Sequence, residues 1–461
     1  MTMFYASAIA ILAIFAAAGA LIGAKGPSTN DFSLGGRNSS TRAVTGILLG
    51  ALVGGASTVG TVQMAYTYGL TAWWFTLGGG IACLLIALRF AKPLRDSGIT
   101  TIADFLAQNY GGEGSFYGDT ISTTVSVSSS LGTLLSICAQ FLSCTAMLRG
   151  IFPISVSAAS LVSALSILGF IAAGGLKSYS KLGQAKIVLL FFILISCCAA
   201  AFNGGGSIGA VTSELPFHSW FNIFGRGFVP EMGHFASMVV GVFTTQIYIQ
   251  SLAAAKDAET ARKGALVSAF LMPLMGLLGT WIGLTVRARG VDIAPEKALS
   301  WFIMDSFSPA VAGLIWGGIL ITVIGCAAGL VLGISTNISK NLVPRRVKAH
   351  IAGHETAFER WLVLVIVAAA AVSGMFSGGS MILEWSYMSM GLRGAGAFFP
   401  FIAAILRPGL LDPLWALAAS IGGLVGMLAW KFAGFSGDPL FAGLVVSALC
   451  VLIGIIFNGK K

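Results

Sequence analysis

Charge is what this chain has least of. Of its 461 residues only 10% are Asp, Glu, Lys or Arg, and residues 187–202 carry none. A water-soluble domain cannot cover its surface with so little charge, which excludes the soluble function classes. Histidine is equally scarce: His218, His234, His350 and His354 fall in loops or at the ends of apolar runs, where solvated side chains are expected. The seven cysteines (Cys83, Cys138, Cys144, Cys197, Cys198, Cys326 and Cys450) lie inside apolar runs without metal-ligand spacing. They read as free thiols that pack as small apolar groups. There is no nucleophile-base set, phosphate-cradling loop or metal cluster, so neither an enzyme nor a cofactor is expected. No linker is long enough to announce a second domain.

What the chain has instead is apolar length. It is 56% hydrophobic, with a mean hydropathy of +0.89. Segments able to cross about 30 Å of hydrocarbon run over 3–23, 43–68, 71–91, 120–148, 153–173, 183–202, 233–252, 264–286, 309–338, 361–377, 381–406, 411–433 and 439–457. These make about thirteen spans and define an all-α polytopic membrane protein. The first has no basic stretch before it and reads as a spanning helix rather than a cleaved signal peptide. Alternating the spans from an outside N-terminus gathers Lys25, Arg37, Arg42, Arg89, Lys92, Arg95, Lys177, Lys181, Lys256, Arg262, Lys263, Lys340, Arg345, Arg346, Lys348, Arg360, Arg407, Lys460 and Lys461 on one side. The other keeps Arg149, Arg226, Arg287, Arg289, Lys297 and Lys431. The asymmetry places the rich side and the C-terminus in the cytoplasm, as in the cytoplasmic membrane of a prokaryote. The net charge of +10 thus follows from short connections and not from nucleic-acid binding. The longest connection, 203–232, is expected outside, with Trp220, Phe221 and Phe224 at the interface.

Two stretches carry a family resemblance. The sequence GGASTVGTVQMAYTYGLTAWW at 54–74 resembles the first core helix of the sodium:solute symporter family. TTQIYIQSLAAAKDAETARKGA at 244–265 is similar to the signature of that family where its sixth core helix meets a cytoplasmic loop. GGLKSYSKLGQAK and APEKALSWFIMDSFSPAVAGLIWGGIL give looser matches to the fifth core helix and to the start of the eighth. The resemblance covers most of 40–345 in the family's order. It implies a LeuT-type fold, in which five helices and five more are related by inverted topology, with a solute bound near the midplane where the first and sixth core helices are broken. The implied divisions are a leading helix and loop (1–41), a first repeat (42–202), an extracytoplasmic loop (203–232), a second repeat (233–406) and two trailing helices (407–461).

The residues themselves support a break in the first core helix. Gly50, Gly54, Gly55 and Gly60 fall within eleven residues, and each weakens a helix by roughly 1 kcal/mol relative to alanine. Unwound backbone is tolerated at membrane depth where it lines a cavity. The freed amides and carbonyls of Gly54 and Gly55, with Ser57, Thr58 and Gln63, would then meet a polar solute, joined from the sixth helix by Thr244, Thr245 and Gln246. The alternative is a close contact between helices through small residues.

Against the family pattern three positions stand out. The family's sodium site uses backbone carbonyls of the first core helix and two adjacent hydroxyl residues on the eighth. Here Gly50 and Val53 fall at the carbonyls, and Gly325 and Cys326 fall at the hydroxyl pair. Thr322 is the nearby hydroxyl, while Ser335 and Thr336 lie two to three turns nearer the cytoplasm. On the fifth core helix the family's aspartate falls on Gly183 and the following glutamine on Lys186, and the arginine of the sixth-helix signature is Ser251. A cation-binding helix has lost its oxygens while its neighbour has gained an ammonium. The resemblance therefore implies that Lys186, or else Lys181, takes the place of sodium, exchanging a proton with each cycle or remaining a fixed charge. The plain alternative makes Lys177, Lys181 and Lys186 cytoplasmic anchors, the expected role for Lys177 and the favoured one for Lys181.

Arg393 is the other cation at membrane depth, and such residues are functional candidates. It would receive a carboxylate solute, or pair with Glu384 or a helix end as a structural tie. The expectation is a secondary active transporter that moves a small polar solute, organic anions favoured, by alternating access and without sodium. Proton coupling and uncoupled transport both fit. A conventional sodium-coupled symporter is the alternative, and a transporter-like sensor the second, although the fused signalling domains a sensor would call for do not occur in this sequence. No span shows the polar filter of a channel.

Overall fold

A computed structural model describes residues 1–25, 38–97, 101–112, 114–344, 347, 350–351 and 353–458; for residues 16, 19–25 and 173–184 only the backbone course is described. Among these residues regular structure is helical, with one parallel bridge between Ser39 and Ala255. The helices are α1 (Thr2–Lys25), α2 (Thr41–Leu52), α3 (Thr61–Tyr68), α4 (Trp74–Leu85), α5 (Ala91–Asp96), α6 (Ile102–Asn109), α7 (Phe116–Ile151), α8 (Val156–Asn203), α9 (Ile208–Glu214), α10 (Phe217–Trp220), α11 (Phe228–Thr244), α12 (Gln246–Ala253), α13 (Ala258–Ala288), α14 (Ala298–Ser306), α15 (Pro309–Asn337), α16 (Glu355–Phe376), α17 (Ile382–Gly394), α18 (Phe398–Leu406), α19 (Pro413–Phe432) and α20 (Pro439–Asn458). Their starts are written in the sequence. Ser40, Thr101, Ser115, Ser155 and Asp257 each sit in extended backbone and accept from the amide three residues on, which satisfies an otherwise orphaned donor.

Among the described residues eight helices are long and apolar enough to cross a membrane, or up to ten when each of two bent pairs counts as one span. The expected thirteen is not reached by this measure, because Thr2–Phe15, Thr41–Leu52 and Val156–Ala172 are apolar but short. The expected spans 153–173 and 183–202 run on as the single helix α8. Lys177, Lys181 and Gly183 lie between them, outside the described side chains.

Three interruptions organise the core. The first follows α2, where Val53 leaves the helix with φ −78° and ψ 99° and a π-helical turn, Ala56–Gly60, restarts it. The second separates α11 from α12 at Thr245, with a 49° bend. The third, which sequence reasoning did not anticipate, bends α17 from α18 by 52°. It falls in the Gly394–Ala397 segment, where glycine weakens the helix and neighbouring backbone fills the space. A side chain on Gly396 would overlap the Ser420 carbonyl, and one on Gly423 the Ala395 carbonyl. The α19–α20 pair thus packs into the bend, where Gly443 also approaches the Gly423 carbonyl.

On the expected cytoplasmic side the chain before α2 is tied to the end of α12. Ser39 N–H donates to the Ala254 carbonyl and Lys256 N–H to the Ser39 carbonyl, both at 3.0 Å. Arg95, in the last turn of α5, donates to the Ala255 carbonyl and, at 3.2 Å, to that of Lys256. At the opposite end α1 lies along α15, where Gly313 and Gly317 leave room for Phe4, Ser7 and Ala8.

Because the atoms facing Gly423 are backbone, Gly423→Val has no side chain to displace. Overpacking of this kind costs about 1–3 kcal/mol, so the purified variant is expected to melt several degrees below wild type in a detergent thermal-stability assay, and equal melting would refute the packing described.

Candidate functional site

The first interruption is held from outside itself. Gly55 N–H donates to Gln140 Oε1 of α7 at 2.7 Å, and Gly54 N–H reaches Ser57 Oγ at 3.2 Å. The Thr58 hydroxyl donates to the Gly54 carbonyl at 2.8 Å. Backbone groups that a helix would satisfy are satisfied here by a glutamine and two hydroxyls, the only arrangement hydrocarbon allows. The glycines are needed for closeness: a Cβ on Gly54 would stand 2.8 Å from both Cys326 Sγ and Gln140 Oε1, and one on Gly55 would overlap Ser143. α15 therefore meets the break through Val323 and Cys326.

Gly325 faces elsewhere: a Cβ there would stand 3.6 Å from the Phe170 ring. Thr322 is buried and donates back to the Gly318 carbonyl at 2.8 Å, and Ser335 donates to that of Leu332. Gly50 and Val53 are buried in and just after α2. Lys186 is only 5% exposed, its nitrogen is shut off from solvent, and it interacts electrostatically with Cys326. A snorkelling anchor would show its nitrogen to water, and this one does not.

The second interruption carries the other cation. Arg393, in the last turn of α17, is 3% exposed. Its Nη1 donates to Thr245 Oγ1 at 3.0 Å, at the residue where the backbone leaves α11, and its Nη2 to Ser136 Oγ of α7 at 2.7 Å. Ser389 donates to the Gly132 carbonyl at 2.5 Å, which leaves Ser136 to donate to Ser389 at 2.7 Å. Arg393 Nε has no partner, and no carboxylate pairs with this guanidinium among the described residues. Pairing with Glu384 is ruled out by geometry, since Glu384 binds Arg226 at 2.7 Å. Cys326 is buried near both cations.

The remaining expected residues divide. Thr244 donates to the Val240 carbonyl at 2.7 Å and Gln246 is half-buried just past the break. Gln63 lies apart: its amide donates to the Ser380 carbonyl at 3.1 Å and accepts from Ile382 N–H at 3.0 Å, stapling α3 to the start of α17. Sequence reasoning missed Gln140, Ser136 and Ser389. The signal for Gln140 was a lone amide in the apolar run ICAQFLSC. It also misplaced His234, expected to be solvated, which is buried inside α11.

Interrupted apolar helices that meet around buried cations are the architecture of a solute transporter of the broken-helix kind. The chain matches the family model described as Sodium:solute symporter family over residues 32–429 and belongs to that family. It is 21% identical over 437 residues to "Uncharacterized symporter YwcA" of Bacillus subtilis (strain 168), a match covering 86% of this chain and 82% of the relative. Among solved structures it resembles a Na+-coupled sialic acid symporter in a substrate-bound outward-open state, with a TM-score of 0.74, 14% identity, and 100% and 98% of the two chains covered. It also resembles Mhp1, a nucleobase-cation-symport-1 family transporter closed around bromovinylhydantoin, with a TM-score of 0.59, 12% identity, and 94% and 96% covered. The fold is of the LeuT type.

Gln140→Leu removes the acceptor of a buried amide, a loss of about 1–3 kcal/mol. The variant is expected to unfold correspondingly earlier in a denaturant series, whereas a change below about 0.5 kcal/mol would mean that the break does not depend on this bond.

Proposed function

We propose that this symporter-family chain moves a small organic anion and that Arg393 receives its carboxylate. The observation that carries the reading is a buried guanidinium hydrogen-bonded at the break of the sixth core helix and paired with no carboxylate among the described residues. Such a charge is costly inside a membrane unless a partner arrives. The free Nε–H supplies one arm for that partner, Thr245 and the half-buried Gln246 that follows it supply neutral contacts, and Gly54 and Gly55 let the interrupted backbone approach closely. Ser57, Thr58, Thr244 and Gln63 act by holding the interrupted segments in shape.

We further propose that Lys186 takes the place of sodium, which makes transport sodium-independent and either proton-coupled or uncoupled. Sodium is a hard cation that requires oxygen ligands, and a thiol is a poor substitute. Lys181 remains the substitute candidate. On this reading two five-helix repeats, 42–202 and 233–406, work between a leading segment and two trailing helices, in a prokaryotic cytoplasmic membrane with the C-terminus inside. The conventional reading, a sodium-coupled symporter, is favoured by the family name and by the Na+ coupling of the sialic acid symporter. A sensor without transport is the third reading.

Uptake of radiolabelled small organic acids into reconstituted vesicles, with sodium and pH gradients imposed separately, decides among them. The expected result is uptake indifferent to sodium. Where it follows the pH gradient, Lys186→Ala removes the coupling. Arg393→Gln should weaken apparent affinity by about 30-fold or more, the consequence of losing one partner of a buried charge pair. Sodium-driven accumulation by wild type would overturn the lysine reading, and unchanged affinity in Arg393→Gln the anion reading.

A further inference from the structure

A second group of charges lies at the expected extracytoplasmic end, away from the solute site. Arg226, in the connection before α11, donates from Nε to Glu231 at 3.1 Å and from Nη1 to Glu384 of α17 at 2.7 Å. His234, one turn beyond Glu231 on α11, places Nδ1 3.1 Å from Glu231 and Nε2 3.4 Å from Glu384. Arg226 Nη2 also comes within 2.9 Å of Nδ1 and 3.0 Å of Nε2. Glu231 is fully buried and His234 nearly so. The imidazole lies flat on the Tyr387 ring, with centroids 3.9 Å apart, and Arg226 lies over the Tyr68 ring at 5.1 Å. Asp438, before α20, packs against Gly233, accepts from Leu440 N–H at 2.9 Å and interacts with His234, Glu384 and Lys431. Burial raises the Asp438 carboxyl above the usual carboxylate range.

The ring nitrogen Nε2 therefore has a donor and an acceptor within reach, and its protonation state selects between them. With Nδ1–H held by Glu231, a neutral Nε2 accepts from Arg226, which belongs to the same side as α11. A protonated Nε2 donates to Glu384, which belongs to α17. Charge balance runs the same way, since Arg226 alone leaves Glu231 and Glu384 one positive charge short and a proton on His234 supplies it.

We propose that His234 is an extracytoplasmic proton site whose protonation adds a second tie between α11 and α17 and holds the outer end of the transporter shut. The proton comes from external water and returns to it when α17 parts from α11. The shut state binds the proton more tightly than the open one, so acidity outside favours closure and rising pH favours opening. One proton gives a shift in the open-to-shut ratio of up to about tenfold per pH unit, centred within the histidine range of roughly pH 5 to 8.

Distances between nitroxide labels at Val229→Cys on α11 and Ser377→Cys before α17, measured by pulsed electron spin resonance on the full chain in bilayer discs, read this directly. Wild type is expected to gain the longer-distance population as pH rises. His234→Gln should flatten the profile, and Glu384→Gln, which removes the charged partner but keeps the histidine, should raise the open population at low pH. A wild-type profile flat with pH overturns the proposal, as does an unchanged profile in either variant. Because no solute or sodium gradient enters the measurement, its outcome is independent of the uptake experiment.

Discussion

A full positive charge sealed inside a bundle of apolar helices is the constraint around which this molecule is built. Arg393 binds to α7 through Ser136 and to the α11–α12 junction through Thr245. Removing a guanidinium from water costs several kcal/mol, and each hydrogen bond it makes offsets part of that. Thr245 can present its hydroxyl because its backbone has left the helix, so the interruption and the charge account for each other. Small residues make the approach short enough. A Cβ on Gly132 would press on the Arg393 stem, one on Gly241 would press on Met390, and one on Gly394 would overlap Val240.

The break in the first core helix depends on a neutral version of the same device. Gln140 reaches across from α7 to satisfy Gly55, and Ser136, one turn earlier on α7, accepts from Arg393, which in turn holds Thr245 at the second interruption. Beside the first interruption stands Cys326, packed against Gly54. A thiol at this junction gives the region a softer chemistry than a hydroxyl would.

Much of the architecture was legible because hydropathy and glycine clustering are strong signals along a membrane chain. The interruptions at Val53–Gly55 and Thr245 were readable from GGAST and from the signature following Thr244. The α17–α18 bend was not, because its cause is tertiary: Gly394 and Gly396 read as ordinary small residues until Ser420 and Gly423 are placed against them. Site residues were legible by type and less so by partner. Arg393 announced itself as a cation in an apolar run, yet whether it paired with Glu384 depended on Arg226, a residue in a loop 158 positions away from that carboxylate. Gln63 looked like a solute ligand because polar side chains at membrane depth are rare, and the structure spends its amide on Ser380 and Ile382. His234 looked solvated because a helix end in sequence is not a helix end in space.

The small parallel bridge at Ser39 and Ala255 has a mechanical meaning. It joins the chain leading into one interrupted helix to the chain leaving the other, and Arg95 fastens the joint from α5. Two levers whose handles are tied turn together. While these hydrogen bonds hold, neither end can be displaced without straining the other.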